Sequence, residues 1–207
     1  MITLRELSTE SRRTSLVVKI GGSLQASIPT LVPILSESER PLFIIPGGGT
    51  FADAVRAADV DDDTAHWMAI AAMEQYGRLI SSHGIPVTAQ LVVPDKTTIF
   101  LPCASLRTTD PLPHSWDVTS DSIAAWVAEQ LDLDLLLLKS TDGIVFEGGL
   151  QENITEPVKT DVVDPFFIPF ILKNKIRTAI IRGSAPERVR DFLKGLPVPG
   201  TSIGTTF

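Results

Sequence analysis

Short, nearly unbroken apolar runs alternate along this chain with longer stretches whose apolar residues recur at helical spacing. Leu16-Val17-Val18-Lys19-Ile20 runs into Gly21-Gly22-Ser23, and Ser27 opens a segment, residues 28–38, with a helical pattern. That order predicts strand, glycine turn, helix. Leu42-Phe43-Ile44-Ile45 followed by Pro46-Gly47-Gly48-Gly49-Thr50 repeats it, with Phe51–Ala58 as the next helix. A long helical pattern from Thr64 to about Ser82 stops at Gly84, with Pro86 just beyond.

Val87–Val93 reads as a strand and Thr97–Cys103 as a weaker one, because Pro94 and Pro102 interrupt the pattern. Asp117–Gln130 reads as a helix with its entry. The four leucines of Asp134–Lys139 suit a strand buried on both faces. Thr141-Asp142-Gly143 turns the chain into Ile144-Val145-Phe146, and a Gly-, Glu- and Thr-rich hairpin or loop follows. Asp164 is placed to cap a helix reaching about Lys173. Thr178–Ile181 then reads as a strand, Pro186–Lys194 as a helix and Thr201–Thr205 as a closing strand. Alternation of this kind implies an α/β fold, a three-layer αβα sandwich with a mainly parallel central sheet. A chain of 207 residues fits one such domain, residues 1–207.

Composition narrows the function classes. Hydrophobic residues make up 43% and charged residues 21%, which is globular rather than disordered. The net charge of −7 disfavours a nucleic acid or an anionic membrane as partner. Cys103 is the single cysteine, so neither a disulfide framework nor a thiolate zinc site is available. The first 15 residues carry no apolar stretch fit for a signal peptide, and no run approaches the ~20 apolar residues that cross a bilayer. The expectation is a cytoplasmic protein.

In open α/β sheets, ligands bind beyond the carboxyl ends of the strands, where both glycine turns fall. Residues without Cβ let backbone N–H groups approach an anion, and a following helix start adds positive potential. With Lys19 at a strand end, two such turns point to phosphate. There is no G-x-x-x-x-G-K-[ST] loop, no dinucleotide fingerprint and no G-x-S-x-G elbow, so P-loop, ordinary Rossmann and hydrolase readings drop out.

The ordered set Lys19-Ile20-Gly21-Gly22-Ser23, Gly47-Gly48-Gly49, Asp117-Val118-Thr119-Ser120-Asp121, Lys139-Ser140-Thr141-Asp142-Gly143 and Gly200-Thr201-Ser202-Ile203 resembles the amino acid kinase superfamily over nearly the whole chain. The short length, His66-Trp67-Met68-Ala69 and the Trp116–Asp121 segment look most like its methanofuran-biosynthesis kinases, which use ATP to convert [5-(aminomethyl)furan-3-yl]methyl phosphate to the diphosphate. The resemblance implies an acceptor half of about residues 1–130 and a nucleotide half of about 131–207. It assigns Lys19 to the transferring phosphoryl group, assisted by Gly21, Gly22 and Ser23, and Asp121 to alignment of the lysines. Gly47, Gly48, Gly49, His66, Asp117 and Thr119 would face the acceptor; Lys139, Ser140, Thr141, Asp142 and Gly143 would face ATP. Mg²⁺ is expected with the nucleotide, held by phosphates and water rather than by a protein metal cage.

Asp117 stands where relatives often carry Asn, which suits an acceptor ammonium or, alternatively, a helix cap. The acidic run Asp59, Asp61, Asp62, Asp63 reads first as a solvated loop, and its nearness to His66 leaves ammonium recognition open. Relatives place a second lysine near residues 159–164, where this chain has Asp161, with Lys159 two residues away; Lys159, Lys139 or Mg²⁺ are the candidate substitutes. The resemblance also implies a homo-oligomer, with Trp67, Ile70 and Met73 forming either a subunit contact or an internal stripe. Other phosphate or carboxylate acceptors, and a non-enzymatic nucleotide or oxyanion store, remain alternatives at this point.

Overall fold

The computed structural model describes residues 15–204. Ten strands form within that span: β1 (Leu16–Ile20), β2 (Leu42–Pro46), β3 (Val87–Thr88), β4 (Thr98–Phe100), β5 (Asp134–Lys139), β6 (Val145–Phe146), β7 (Gly149–Leu150), β8 (Asn153–Ile154), β9 (Thr178–Arg182) and β10 (Gly200–Ile203). Seven α-helices accompany them: α1 (Ile28–Ser36), α2 (Gly49–Arg56), α3 (Asp62–Ser81), α4 (Cys103–Thr109), α5 (Ser120–Leu131), α6 (Phe167–Asn174) and α7 (Pro186–Leu193). Eight strands make one sheet in the order β3-β4-β2-β1-β5-β9-β10-β8, parallel except where β10 meets β9; β6 and β7 form a separate hairpin.

Period-two alternation divides the core. Leu16, Val18 and Ile20 of β1, with Leu136 and Leu138 of β5, pack toward α1 and α7. Val17, Leu135 and Leu137 face the opposite layer, built on α5 and α6. Every one of these side chains is fully removed from water, each worth roughly 1.5–3 kcal/mol of transfer energy. The same alternation puts Lys19 and Lys139 on the α5 side, at the carboxyl ends of adjacent strands.

Sequence and structure differ at several borders. The strand expected over 87–93 is confined to Val87–Thr88, and that over 97–103 to Thr98–Phe100. Pro102, with no N–H to give a ladder, stands at the N-cap of α4, and Glu74 accepts the Cys103 N–H at 2.9 Å. The helix entered from Asp117 starts where expected, at Ser120, with Thr119, in extended conformation, supplying the cap. A 3-10 turn over Gly22–Ser27 precedes α1. The closing strand ends at Ile203, and Thr205 lies outside the described residues.

Candidate active site

Strand β1 sits between β2 and β5, where the sheet order changes direction, so ligands should gather at its carboxyl end. There Lys19 Nζ lies 2.7 Å from Asp121 Oδ1, and Lys139 Nζ donates to Asp121 Oδ2 at 2.6 Å. The Lys19 contact is an ion pair set off hydrogen-bond alignment. Lys19 and Asp121 are buried and Lys139 nearly so. A single carboxylate thus holds two ammonium groups side by side, leaving an excess positive charge.

Asp121 reaches this point because it occupies the first turn of α5, whose start is tied down by a second acid. The Asp164 carboxylate accepts from Thr119 N (2.9 Å), Thr119 Oγ1 (2.8 Å), Ser122 N (3.2 Å) and Ser122 Oγ (2.5 Å), and from Phe167 N (3.0 Å) at the start of α6. Asp164 therefore caps two helices at once, a role that sequence, which marks only its own helix, does not display. Asp164→Ala should cost about 2–4 kcal/mol, from two lost caps and buried donors left unpaired, measured by urea denaturation.

An open cleft of about 970 Å³ spreads in front of the lysines. Three helical starts border it: Gly22 and Ser23 of the 3-10 turn, Gly48 and Gly49 of α2, and Thr119 and Ser120 of α5. Converging N-termini and two ammonium groups make a strong anion site within an acidic protein.

The glycines serve two different ends. Gly21 N–H is spent on Leu138 O (3.1 Å) and Gly47 N–H on Ile20 O (2.8 Å), so these two amides close the strand ends and are unavailable to phosphate. A Cβ on Gly22 would stand 2.5 Å from Gly49 N, and one on Gly47 would stand 2.8 Å from Gly22 N. The two turns need glycine to pack against each other, and Gly22, Ser23, Gly48 and Gly49 remain to line the cleft.

Other expected residues are distributed unevenly. Asp117 lies in the exposed turn before α5, outside the cleft lining, with its backbone carbonyl accepting from Phe166 N at 3.2 Å. The capping expectation for Asp117 is not met, because Thr119 takes the cap. Ser140, Thr141, Asp142 and Gly143 follow β5 beyond the lining. The Asp142 carboxylate is engaged by Arg182 and Arg188, and Gly143 is pressed against Thr201, where a Cβ would meet Oγ1 at 2.4 Å. Asp161 lines the cleft and Lys159 does not, so among the described residues Lys139 is the cation beside Lys19. His66 and Thr119 line a side chamber of about 50 Å³ that shares a wall with the cleft. Ile70 and Met73 belong to the chain's own core, and Trp67, half-buried, packs on it under Arg107.

Electrostatics sharpen the lysine pair. Burial pushes Lys139 down to about 8, helped by the Lys19 charge and opposed by Asp121. For Asp121, burial acts upward, but the Lys19 and Lys139 charges together hold it below the ordinary carboxylate range. The ammonium form of Lys139 is the useful one at a phosphate site, so kcat/KM should fall above about pH 8; Lys139→Arg should move that limb to higher pH, read from pH–rate profiles.

This chain is 34% identical over 202 residues to the [5-(aminomethyl)furan-3-yl]methyl phosphate kinase of Methanocaldococcus jannaschii, covering 86% of this chain and 93% of that protein. The chain belongs to the [5-(aminomethyl)furan-3-yl]methyl phosphate kinase family. Membership makes it a phosphotransferase and removes the storage-protein alternative. No family model matches the chain. The fold of this aminomethylfuran phosphate kinase family member is that of the amino acid kinases. Uridylate kinase from Archaeoglobus fulgidus superposes with a TM-score of 0.68 at 18% identity, over 92% of this chain and 99% of that one. An isopentenyl phosphate kinase does so with 0.65 at 12% identity, over 91% and 100%. Among the described residues, no helix is long and apolar enough to cross a membrane.

Proposed function

We propose that the protein transfers the γ-phosphoryl group of ATP to the phosphate of [5-(aminomethyl)furan-3-yl]methyl phosphate, giving the diphosphate and ADP. The observation that carries this reading is the pair of lysines held on one buried carboxylate at the head of a cleft bordered by three helical starts. A phosphate acceptor is already anionic near neutral pH, its second pKa being about 6, so it needs no strong base. The barrier is repulsion between two anions. Lys19 and Lys139 offset that repulsion, and the N–H groups at Gly22, Ser23, Gly48 and Gly49 orient the phosphates in line. An acceptor oxygen forms the new bond to the γ-phosphorus as the bond to the ADP oxygen breaks. Asp121, ion-paired on both sides, fixes the spacing of the lysines and takes no proton.

The cleft's donor set suits Mg²⁺ as a phosphate-borne ion. Asp53, Asp121 and Asp164 are engaged by protein donors, leaving Asp161, with water and phosphate oxygens, to complete its shell. When bound, Mg²⁺ would neutralise charge on the nucleotide. On this reading the lysines stand at the seam of an acceptor half, about residues 1–130, and a nucleotide half, about 131–207, with Ser140–Gly143 beside the nucleotide. Self-association is expected by resemblance; Ile70 and Met73 are taken up by the chain's own core, leaving Trp67 as the member of the stripe that a subunit contact could use.

Following ADP release with ATP, Mg²⁺ and a panel of acceptors tests this. The aminomethylfuran phosphate should turn over faster than uridylate or isopentenyl phosphate, and preference for either of those would overturn the acceptor assignment.

A further inference from the structure

The side chamber beside the phosphate cleft carries a feature that the phosphoryl-transfer chemistry does not use. Its walls are largely small or apolar, including Ala65, Ala69, Ile70, Met73, Val118 and Ile123. At about 50 Å³ it has room for a group of two or three heavy atoms and too little for a whole ring, which takes about 150 Å³. Arg56, Trp116, Thr119 and Ser120 border both the chamber and the cleft, so one bound molecule can occupy the two together.

We propose that Asp62 is a specificity-determining residue that binds the primary ammonium of the acceptor, the aminomethyl group entering this chamber, the ring lying at its mouth where it meets the cleft, and the phosphate reaching back to the lysines. The inference rests on the acceptor proposed above. The members of the acidic run have separate roles. Asp61 caps α3 through Thr64 N at 2.8 Å, Asp63 pairs with His114 Nδ1 at 2.7 Å, and Asp62 lines the chamber. Carboxylate at the chamber and cations at the cleft match a molecule with an ammonium at one end and a phosphate at the other. Arg56, over the Trp116 ring at 5.1 Å, adds a cation at the boundary.

Among the polar residues that share the chamber with Asp62, His66 stands one helical turn on and is compatible with a cationic guest. The His66 ring stacks on His114 at 3.9 Å, while His114 is held between Asp63 and Asp110. Burial and then the His114 charge lower the His66 pKa, which keeps its imidazole neutral and able to accept a hydrogen bond. Both ring nitrogens of His114 are engaged, Nδ1 by Asp63 at 2.7 Å and Nε2 by Asp110 at 2.8 Å, which argues against reading His66, His114 and Asp110 as a metal site.

The test compares two acceptors, the aminomethylfuran phosphate and its analogue with methyl in place of aminomethyl. Asp62→Asn should raise KM for the amine about tenfold with little change in kcat, and leave KM for the methyl analogue where it was. Asp62→Glu should recover part of the loss, and Asp59→Asn, an exposed acid outside the chamber, should change neither acceptor. Equal effects of Asp62→Asn on both acceptors, or none on either, would overturn the role of Asp62 while leaving the kinase reading intact. Failure of the wild-type protein to phosphorylate either acceptor would instead overturn the proposed function, and this inference with it.

Discussion

Lys19→Met is expected to lower kcat by about 10²–10³-fold while the protein stays folded, because the variant keeps the volume of the side chain and removes only its charge. Lys139 still neutralises Asp121 in that variant through its 2.6 Å hydrogen bond, so no buried carboxylate is abandoned. A second readout follows from the pair itself. The Lys19 charge helps to depress Lys139, so losing it should move the alkaline limb of kcat/KM above about pH 8. Wild-type rates in Lys19→Met would remove this residue from the chemistry.

Asp121→Ala should be the more damaging change for the fold. It leaves two ammonium groups facing each other where burial has already cost them water, and breaking such a buried arrangement is worth about 3–5 kcal/mol. Thermal or urea unfolding should report that loss. Activity should fall as well, since the lysines lose their common anchor. The conservative Asp121→Asn separates the two effects: it keeps the shape, and by removing the stronger of the two carboxylate charges that support Lys139, the weaker being Asp164, it should move the alkaline limb below about pH 8. The two substitutions therefore displace the same limb in opposite directions, which a merely structural role for either residue would not produce.

The strand ends carrying Lys19 and Lys139 are legible in the sequence because strand periodicity and glycine turns are local signals, and their shared face follows from alternation along β1 and β5. Their meeting on Asp121 depends on the packing of α5 against the sheet, which spacing alone does not encode; the family resemblance supplies it. Lys139 belongs by motif to the nucleotide segment, whereas geometry sets it beside Lys19 as that lysine's companion cation. Gly21 and Gly47 carry the signature of phosphate loops, yet their amides serve the sheet, since a glycine needed for close backbone packing looks the same in sequence as one needed for a ligand. Asp117 shows a related ambiguity. A carboxylate two residues before a capping Thr reads equally as a cap, yet Thr119 supplies it, while the placement of Asp62 at the chamber cannot be told in sequence from the rest of its exposed acidic run. The helix at Cys103–Thr109 escapes the sequence pattern because Pro102 reads as a strand interruption rather than a helix start.

Phosphoryl transfer onto an existing phosphate is the reaction proposed for the Lys19–Asp121–Lys139 centre. Phosphorus NMR of the protein with ATP, Mg²⁺ and [5-(aminomethyl)furan-3-yl]methyl phosphate tests it most directly. The expected spectrum loses the acceptor's monoester resonance and gains the two coupled resonances of a new diphosphate alongside ADP, and Lys19→Met leaves the monoester in place over the same interval. A monoester signal that persists with the wild-type protein, or a diphosphate formed at equal rate by Lys19→Met, would contradict it.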